Sequence, residues 1–235
     1  MRVAIYFTPE RSDPLTATAA AWLGRNAFGG EAGRLPAATG LTPAELAFHT
    51  ASARRYGFHA TLKAPFRLIQ GQAVGSLERA LAVFAQSAAP IAVPRLAVQQ
   101  IDGFFALVPD EPLAELNRFA DDVVIAFEQF RAPLTDAEIA RRGPENLTPV
   151  EFRNLLQWGY PYIFESFRFH MTLTGRAGHR EAPRLRGAIE AVFGPLLSKP
   201  LVVDGLALFV ESEPGAPFEV HSHYPLTAGR RRKSA

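Results

Sequence analysis

Polar and apolar residues alternate in the stretch YGFHATLKAPF, residues 56 to 66. Successive side chains of a β-strand point to opposite faces of a sheet, so this alternation predicts a strand over about 58 to 66. The polar positions are His59, Thr61 and Lys63, and the apolar positions are Phe58, Ala60 and Leu62. One face of the strand can therefore pack on a core, while the other presents a histidine, a threonine and a cation.

The stretch FRFHMTLTG, residues 167 to 175, repeats this arrangement and predicts a strand over 167 to 174. Its polar face carries Arg168, His170, Thr172 and Thr174, and its apolar face carries Phe169, Met171 and Leu173. The two stretches share the sequence His-x-Thr-Leu. One such match could arise by chance among six histidines. Two matches in the same alternating context indicate a duplicated functional strand.

The hydrophobic periodicity of the remaining chain predicts a mixture of strands and helices. Predicted strands cover about 3–7, 91–101, 103–108, 200–210 and 217–225, and predicted helices cover about 14–25, 43–54, 72–87, 110–130 and 183–193. Asp13 and Thr42 each precede a proline, which is typical of a helix N-cap followed by the first helical position. Strands and helices do not form a regular βαβ series, so the predicted fold class is α+β.

The surroundings of the two motifs also repeat. A predicted helix separates His59 from Pro90, and His170 from Pro200, over nearly the same number of residues. An Asp-Gly pair then precedes an apolar strand in each half, at 102–103 and 204–205. Matching these pairs requires an insertion in the first half. We therefore expect one domain, residues 1–235, made of two pseudo-symmetric lobes around a central cleft.

Two further segments have a distinct character. Residues 131–160 contain several prolines between short apolar runs and are predicted to form a helical cap over the cleft. Residues 228–235 include a run of basic residues and are predicted to be a disordered tail.

Composition limits the classes of function. The chain has 235 residues, is 48% hydrophobic and has a formal net charge of only +2, which does not indicate a strongly nucleic-acid-binding surface. It contains no cysteine, which excludes disulfides, thiolate catalysis and cysteine-ligated metals. The apolar run at residues 3–7 is too short for a signal peptide or a membrane span. We expect a monomeric, cytoplasmic protein without membrane contact.

Two histidines on facing strands suit acid–base chemistry. An imidazole has a pKa near 6.5, so one histidine can accept a proton from water while the other donates one to a leaving oxygen. Hydroxyls of Thr61 and Thr172 can donate to phosphoryl oxygens, and Lys63 and Arg168 could add positive charge there. This set needs no metal or cofactor. His221 and His223 could form a metal pair, but without a third ligand in register they are interpreted as surface strand residues.

The paired His-x-Thr motif, at this separation in a chain of this size, resembles the two-histidine (2H) phosphoesterase superfamily. The segments GFHATLKAPFRL, WGYPYIFESFRFHMTLTG and RVAIYF are more closely similar to a branch encoded in bacterial phosphonate-metabolism operons. The resemblance implies a bilobal duplicated fold, with His59 and His170 as the acid–base pair and Thr61 and Thr172 as phosphate-binding residues. It does not assign which histidine is the acid.

The resemblance also implies a substrate class, a small cyclic phosphodiester. The phosphonate context suggests a ribosyl 1,2-cyclic phosphate, and the alternatives are RNA or nucleoside 2′,3′-cyclic phosphates, or a nucleotide- or phosphosugar-binding protein without turnover. Tyr6 could form the floor of the cleft. Tyr162, with Tyr160, could stack on a sugar or base, and Arg141 or Arg142 of the cap could contact the substrate.

Overall fold

The structure, a computed structural model, describes residues 1–35 and 39–228. Apart from Ala228, the predicted tail lies outside the described residues. The strands are β1 (Arg2–Phe7), β2 (Ala60–Phe66), β3 (Ile91–Val93), β4 (Leu96–Ile101), β5 (Phe104–Pro109), β6 (Met171–Arg176), β7 (Leu201–Val203), β8 (Gly205–Glu211) and β9 (Glu219–Pro225). The α-helices are α1 (Pro14–Leu23), α2 (Pro43–Tyr56), α3 (Val74–Ser87), α4 (Ala114–Ala126), α5 (Asp136–Ala140), α6 (Pro149–Trp158) and α7 (Ala182–Leu197).

Within the described residues, seven strands form one antiparallel sheet in the order β4-β5-β6-β2-β1-β8-β9, and β3 pairs with β7 in a second, two-stranded sheet. The predicted α+β class is confirmed. The two lobes remain a prediction; strands β4 and β5 lie on one side of the junction between β6 and β2, and strands β1, β8 and β9 lie on the other. This junction is narrow, because the two strands pair only at Ala60 and Met171.

Helices cover one face of the sheet and create the main core. Trp22 of α1, Leu81 of α3, Val123 of α4 and Phe193 of α7 are buried together with the apolar face of the strands. A smaller cluster around Tyr6, with Phe209 and Phe218, lies on the opposite face of β1 and β8. The sheet therefore has a fully packed face and a face that is only partly covered.

The helix boundaries follow from local sequence signals. The side chain of Asp13 accepts a hydrogen bond from Leu15 N, and Pro14 is the first residue of α1, as predicted. Thr42 and Glu45 form a capping box at the start of α2. Thr148 and Glu151 form the same motif before α6. These caps fix where the helices begin, and a glycine with positive φ follows the last residue of each of these helices, at Gly24, Gly57 and Gly159.

The repeat relationship differs from the predicted one. The Asp-Gly pairs match the strand after Asp102 with the strand after Asp204, which are β5 and β8. In the sheet, however, β5 lies beside the motif strand β6 and β1 lies beside the motif strand β2, so β5 corresponds to β1. The next strand outward is β4 on one side and β8 on the other, so β4 corresponds to β8. The sheet thus combines distant parts of the chain: β8 lies beside β1, and β4 and β5 lie on the side of β6.

Other element boundaries shift by a few residues. The predicted strand at 167–174 begins later, at Met171, and a turn of 3-10 helix at Phe164–Ser166 precedes the irregular residues 167–170. The predicted helix at 110–130 is the shorter α4. Residues 131–160 contain α5, a 3-10 turn and α6, as expected for a helical cap. In the part of the chain that the structure describes, no helix is long and apolar enough to cross a membrane.

Candidate functional site

The central junction of the sheet brings the two motifs together. Ala60 of β2 pairs with Met171 of β6, and each of these residues directly follows a motif histidine. This pairing brings His59 and His170 close together at the contact between β2 and β6, although 111 positions separate them in sequence. His59, Thr61, His170 and Thr172 line the same cavity, of about 340 Å³.

This space is called the central cavity below. Its other lining residues are Arg2, Tyr6, Ser52, Ala53, Tyr56, Gly57, Ala64, Pro65, Phe104, Arg142, Tyr160, Thr174, Gly175 and Arg176. A larger neighbouring space of about 850 Å³, the outer cavity, shares Thr61, Phe104, Tyr160, His170 and Arg176 with it. The two histidines thus lie at the inner end of a cleft rather than on an open surface.

The imidazole of His59 is held by three contacts. Its ring stacks on Tyr6, with 3.8 Å between ring centroids and 20° between planes. Its Nδ1 lies 2.9 Å from the carbonyl oxygen of Gly57, and its Nε2 lies 3.2 Å from Thr61 Oγ1. Because a carbonyl can only accept, Nδ1 carries the proton and Nε2 of the neutral ring is an acceptor.

The carbonyl that orients His59 depends on a glycine. Gly57 ends α2 with φ at 75°, a region that favours glycine. A Cβ atom at this position would lie 2.6 Å from the Cβ of Ala27, so a side chain has no room there. Thr8 Oγ1 donates to the next carbonyl, that of Phe58, at 2.8 Å. The turn before β2 is therefore fixed at both residues preceding His59.

His170 is oriented by the same local device. Its Nδ1 lies 2.7 Å from the carbonyl oxygen of Arg168, two residues before it, as Gly57 lies two residues before His59. The ring packs against Phe104, with 5.6 Å between centroids. Trp22 Nε1 donates to the carbonyl of Leu173 at 2.9 Å and anchors β6 to α1. In both motifs, therefore, Nε2 is the nitrogen left for chemistry.

Burial favours the neutral form of both rings. Removal from water lowers the pKa of His59 to about 4, although the hydrogen bond to Gly57 opposes this shift, and the nearby charge of protonated His170 lowers the pKa further. Burial also lowers the pKa of His170, against the hydrogen bond to Arg168. At neutral pH the free protein therefore holds both histidines as bases.

Lys63 does not lie at the cleft, in contrast to the phosphate contact or solvated rim position that its spacing predicts. Tyr6 pairs with Thr61, but Ile5 pairs with Lys63, so β2 contains one extra residue between the two pairs. This β-bulge reverses the alternation and moves Lys63 to the core side of the sheet, where Ile5 also lies. Its side chain is 4% exposed, and Nζ bonds Glu128 at 2.8 Å and the carbonyl of Val124 at 3.0 Å.

The other predicted residues differ in where they lie. Tyr6 lies in the central cavity and forms its floor beneath His59, as its phase in β1 indicates. Arg168 and Tyr162 line only the outer cavity, and both are exposed. Thr174, in the phase of His170, is 1% exposed, and its hydroxyl accepts from Phe105 N and donates to the carbonyl of Gly175.

Several cavity residues were not predicted. Tyr56 is the last residue of α2, and Phe104 is the first of β5, so no strand alternation connects them with the motifs. Arg176 continues the phase of His170 and Thr172, and would have been found had the predicted strand extended to residue 176. Arg142 and Tyr160 come from the cap, in agreement with the expectation that this segment contributes to the cleft.

Among residues 1–35 and 39–228, no group of three or more histidine, aspartate or glutamate side chains could hold a metal ion. His221, of the pair considered as a metal site, lies 3.5 Å from Glu78. The ring of His223 packs over Gly205, where a Cβ would lie 2.4 Å from its Cε1. These two histidines are separate from the central cavity.

Solved structures similar to this chain include phosphoesterases. TT0787 of Thermus thermophilus is 16% identical over 97% of this chain and 98% of its own, with a TM-score of 0.46. E. coli LigT, solved in complex with NADP+, is 14% identical over 96% of this chain and 98% of its own, with a TM-score of 0.41. TM-scores below 0.5 do not establish a common fold, so the architecture rests on the topology described above.

Curated relatives are closer in sequence. A protein of Janthinobacterium sp. (strain Marseille) named ribose 1,5-bisphosphate phosphokinase PhnN is 37% identical over 99% of this chain and 52% of its own length. A protein of the same name from Laribacter hongkongensis (strain HLHK9) is 34% identical over 94% of this chain and 50% of its own. The chain spans about half the length of these relatives. A family model described as "Protein of unknown function (DUF1045)" matches residues 61–219, and the chain belongs to that family.

Proposed function

We propose that this chain is a metal-independent phosphodiesterase that opens a small cyclic phosphodiester by acid–base catalysis between His59 and His170. The observation that carries this proposal is the pairing of Ala60 with Met171, which brings two His-x-Thr motifs to one cavity. Each histidine is oriented through Nδ1 by a carbonyl two residues earlier. Both therefore present Nε2 as the reacting nitrogen.

The reaction needs one proton acceptor and one proton donor. The basic histidine removes a proton from water as the water oxygen attacks phosphorus, and the acidic histidine gives its proton to the departing alkoxide. One P–O bond forms and one breaks, and the products are a phosphate monoester and a hydroxyl. After the reaction the basic histidine is protonated and the acidic histidine is neutral. Proton exchange with solvent restores the starting form of both rings.

The environments of the two rings assign these roles. His59 is stacked on Tyr6 and more strongly shielded, and its pKa of about 4 keeps it neutral, so we assign it as the base. His170 lies in both the central and the outer cavity, where an anionic substrate can approach it. A bound phosphate would raise the pKa of His170 and favour the protonated form that an acid requires.

Thr61 and Thr172 are assigned to the phosphoryl oxygens. Both line the central cavity, and they occupy equivalent positions two residues after the histidines. Thr61 Oγ1 lies 3.2 Å from His59 Nε2, so this hydroxyl lies beside the reacting nitrogen. Two hydroxyl donors from opposite strands can hold the non-bridging oxygens while the ring opens.

A ribosyl 1,2-cyclic phosphate is the substrate that the relatives support best. Hydrolysis of the bond between phosphorus and O2 of this cyclic phosphate gives a ribose with a phosphate at C1. The curated relatives are named for an enzyme of ribose 1,5-bisphosphate, a sugar phosphorylated at the same carbon. RNA or nucleoside 2′,3′-cyclic phosphates, and binding without turnover, are the alternatives.

The kinase named in those relatives is not assigned to this chain. A P-loop kinase motif requires Gly-Lys followed by Ser or Thr, and the sequence contains no Gly-Lys pair. The relatives are about twice as long as this chain. We therefore expect no phosphoryl transfer from ATP to ribose 1,5-bisphosphate by this chain.

The test is a panel of cyclic phosphates followed by phosphorus NMR. The panel contains ribose 1,2-cyclic phosphate, adenosine 2′,3′-cyclic phosphate and adenosine 3′,5′-cyclic phosphate, each with and without EDTA. We expect the ribose compound to be opened fastest and EDTA to have no effect. Opening of the 2′,3′-cyclic compound alone would favour the RNA-type alternative, and tight binding of all three without opening would show a binding protein.

A further inference from the structure

The two cavities differ in charge. Among the residues that the structure describes, the central cavity is lined by three arginines, Arg2, Arg142 and Arg176, and by no aspartate or glutamate. The outer cavity contains two arginines but also three carboxylates, Asp102, Glu151 and Glu165. An anionic group next to the diester is therefore favoured in the central cavity and opposed by carboxylates in the outer one.

The three central arginines are not equivalent. Arg2 is partly compensated, because Nε and Nη2 bond the two oxygens of buried Glu211 at 2.5 and 2.9 Å, and Glu211 also pairs with Arg55. Arg176 lines both cavities and so also faces the carboxylates of the outer one. Arg142 lines only the central cavity, and within the described residues it has no carboxylate within 4.0 Å. Like Arg176, it forms no ion pair with a described carboxylate, and unlike Arg176 it does not face the carboxylates of the outer cavity.

Arg142 is held by an aromatic ring instead of an acid. Its guanidinium carbon lies 5.0 Å from the ring centroid of Tyr160, a cation–π contact. This contact orients the planar group while its N–H donors remain free for an anion. Both residues line the central cavity, and both come from the segment between β5 and β6 rather than from the sheet.

The cap that carries these two residues is fixed to the sheet. Arg67, next to the end of β2, forms two bonds to Glu138 of α5, at 3.1 and 2.9 Å. Glu138 also closes the capping box with Thr135, and the Arg142 backbone N–H bonds Ile139 O at 3.0 Å. The backbone of Arg142 is thereby held in a defined position relative to the motif strand, as a binding residue requires.

We propose that Arg142 and Tyr160 form a subsite for a second phosphate monoester, carried by the same substrate whose cyclic phosphate lies at the two histidines. This inference rests on the proposed function and narrows its substrate class to cyclic phosphates of phosphorylated sugars. A phosphate matches the planar donor pattern of arginine, which a neutral sugar hydroxyl does not. The product of such a substrate carries two phosphate monoesters.

Calorimetric binding of two product-type ligands, ribose 1-phosphate and ribose 1,5-bisphosphate, tests the subsite without requiring turnover. We expect the wild type to bind the bisphosphate roughly tenfold or more tightly than the monophosphate, as one charge-assisted contact would provide. Arg142→Ala should remove most of this preference and leave the Kd of the monophosphate unchanged. Arg141→Ala changes an exposed neighbour that lines neither cavity, and should retain the wild-type preference.

Three results would overturn the subsite. The wild type could bind both ligands equally, Arg142→Ala could still prefer the bisphosphate, or Arg142→Ala could weaken the binding of both ligands to the same extent. Opening of ribose 1,2-cyclic phosphate is measured separately on the same preparations. Ring opening without an Arg142-dependent preference would sustain the proposed function and overturn the subsite. An Arg142-dependent preference without ring opening of either the plain or the 5-phosphorylated compound would sustain the subsite and overturn the diesterase.

Discussion

The two His-x-Thr motifs are alike in sequence and differ in environment. Both histidines are oriented through Nδ1 by a carbonyl two residues earlier. His59, however, stacks on Tyr6, whereas His170 packs at a tilt against Phe104 at the edge of the larger outer cavity. The two motifs therefore present the same side chains, and their surroundings make His59 the less readily protonated of the two histidines.

The third polar residue of the motif also differs between the two copies: it is Lys63 in the first and Thr174 in the second. In the first motif a β-bulge turns Lys63 into the core, where it pairs with Glu128. In the second motif the hydroxyl of Thr174 bonds the backbone of the neighbouring strand. Both side chains bond other parts of the protein, so under the proposed function the acid–base and phosphate-binding roles fall to the histidine and the first threonine of each copy. The following predictions test this division.

Loss of either histidine should have the largest effect. Because each ring acts as an acid or a base in the same step, His59→Ala and His170→Ala should each lower kcat/KM by about 10² to 10⁴. His221→Ala is the matched control, since this ring is 47% exposed and outside the central cavity. Initial rates of ring opening provide the measurement, and wild-type rates in either variant would refute the acid–base pair.

The pH dependence of kcat/KM should distinguish the two roles. The reactive free enzyme has neutral His59, so activity falls as pH drops through a pKa of about 4. It also has protonated His170, so activity falls as pH rises through the lowered pKa of that ring, below 6.5. On the acidic and on the alkaline side of the profile, kcat/KM should change roughly tenfold per pH unit. The residual activity of His59→Ala should lose the acidic limb, and loss of the alkaline limb instead would reverse the assignment.

Removal of Lys63 should affect stability rather than chemistry. Lys63→Ala removes a buried side chain and its bonds to Glu128 and the Val124 carbonyl, although Glu128 keeps Arg131 at 2.6 Å, so we expect a loss of about 2 kcal/mol in the free energy of unfolding. Urea denaturation measures this loss, with Lys199→Ala as an exposed control. The kcat/KM of the folded variant should be close to wild type. A large fall in kcat/KM at unchanged stability would instead restore Lys63 to the phosphate site.

The smallest expected effect concerns the ring beneath His59. Tyr6→Phe retains the stacking surface and should leave kcat/KM nearly unchanged, whereas Tyr6→Leu removes a contact of about 1 kcal/mol. Because a looser His59 is better hydrated, its pKa should rise and the acidic limb should move to higher pH in Tyr6→Leu. An equal loss of activity in Tyr6→Phe would show that the hydroxyl, rather than the ring, is required.

Much of the local structure could be predicted because its causes are local. Caps such as Asp13 and Thr42 signal helix starts through the side chain of a single residue and the proline after it. The repeated His-x-Thr-Leu alone indicated the four central residues of the cavity. The position of Lys63 could not be predicted in this way, because a bulge depends on how β2 pairs with β1, and pairing is invisible to alternation within one strand.

The sequence by itself determined the α+β class, the two motif strands and the residues on their polar faces, because period-two alternation and helix caps are properties of short segments. Only the tertiary structure decided that β8 joins β1 while β4 and β5 join β6, that Arg142 and Tyr160 line the central cavity, and that Tyr6 stacks on His59. These depend on contacts between residues far apart in the chain. Such contacts follow from packing and burial across the whole sheet, which no local pattern encodes.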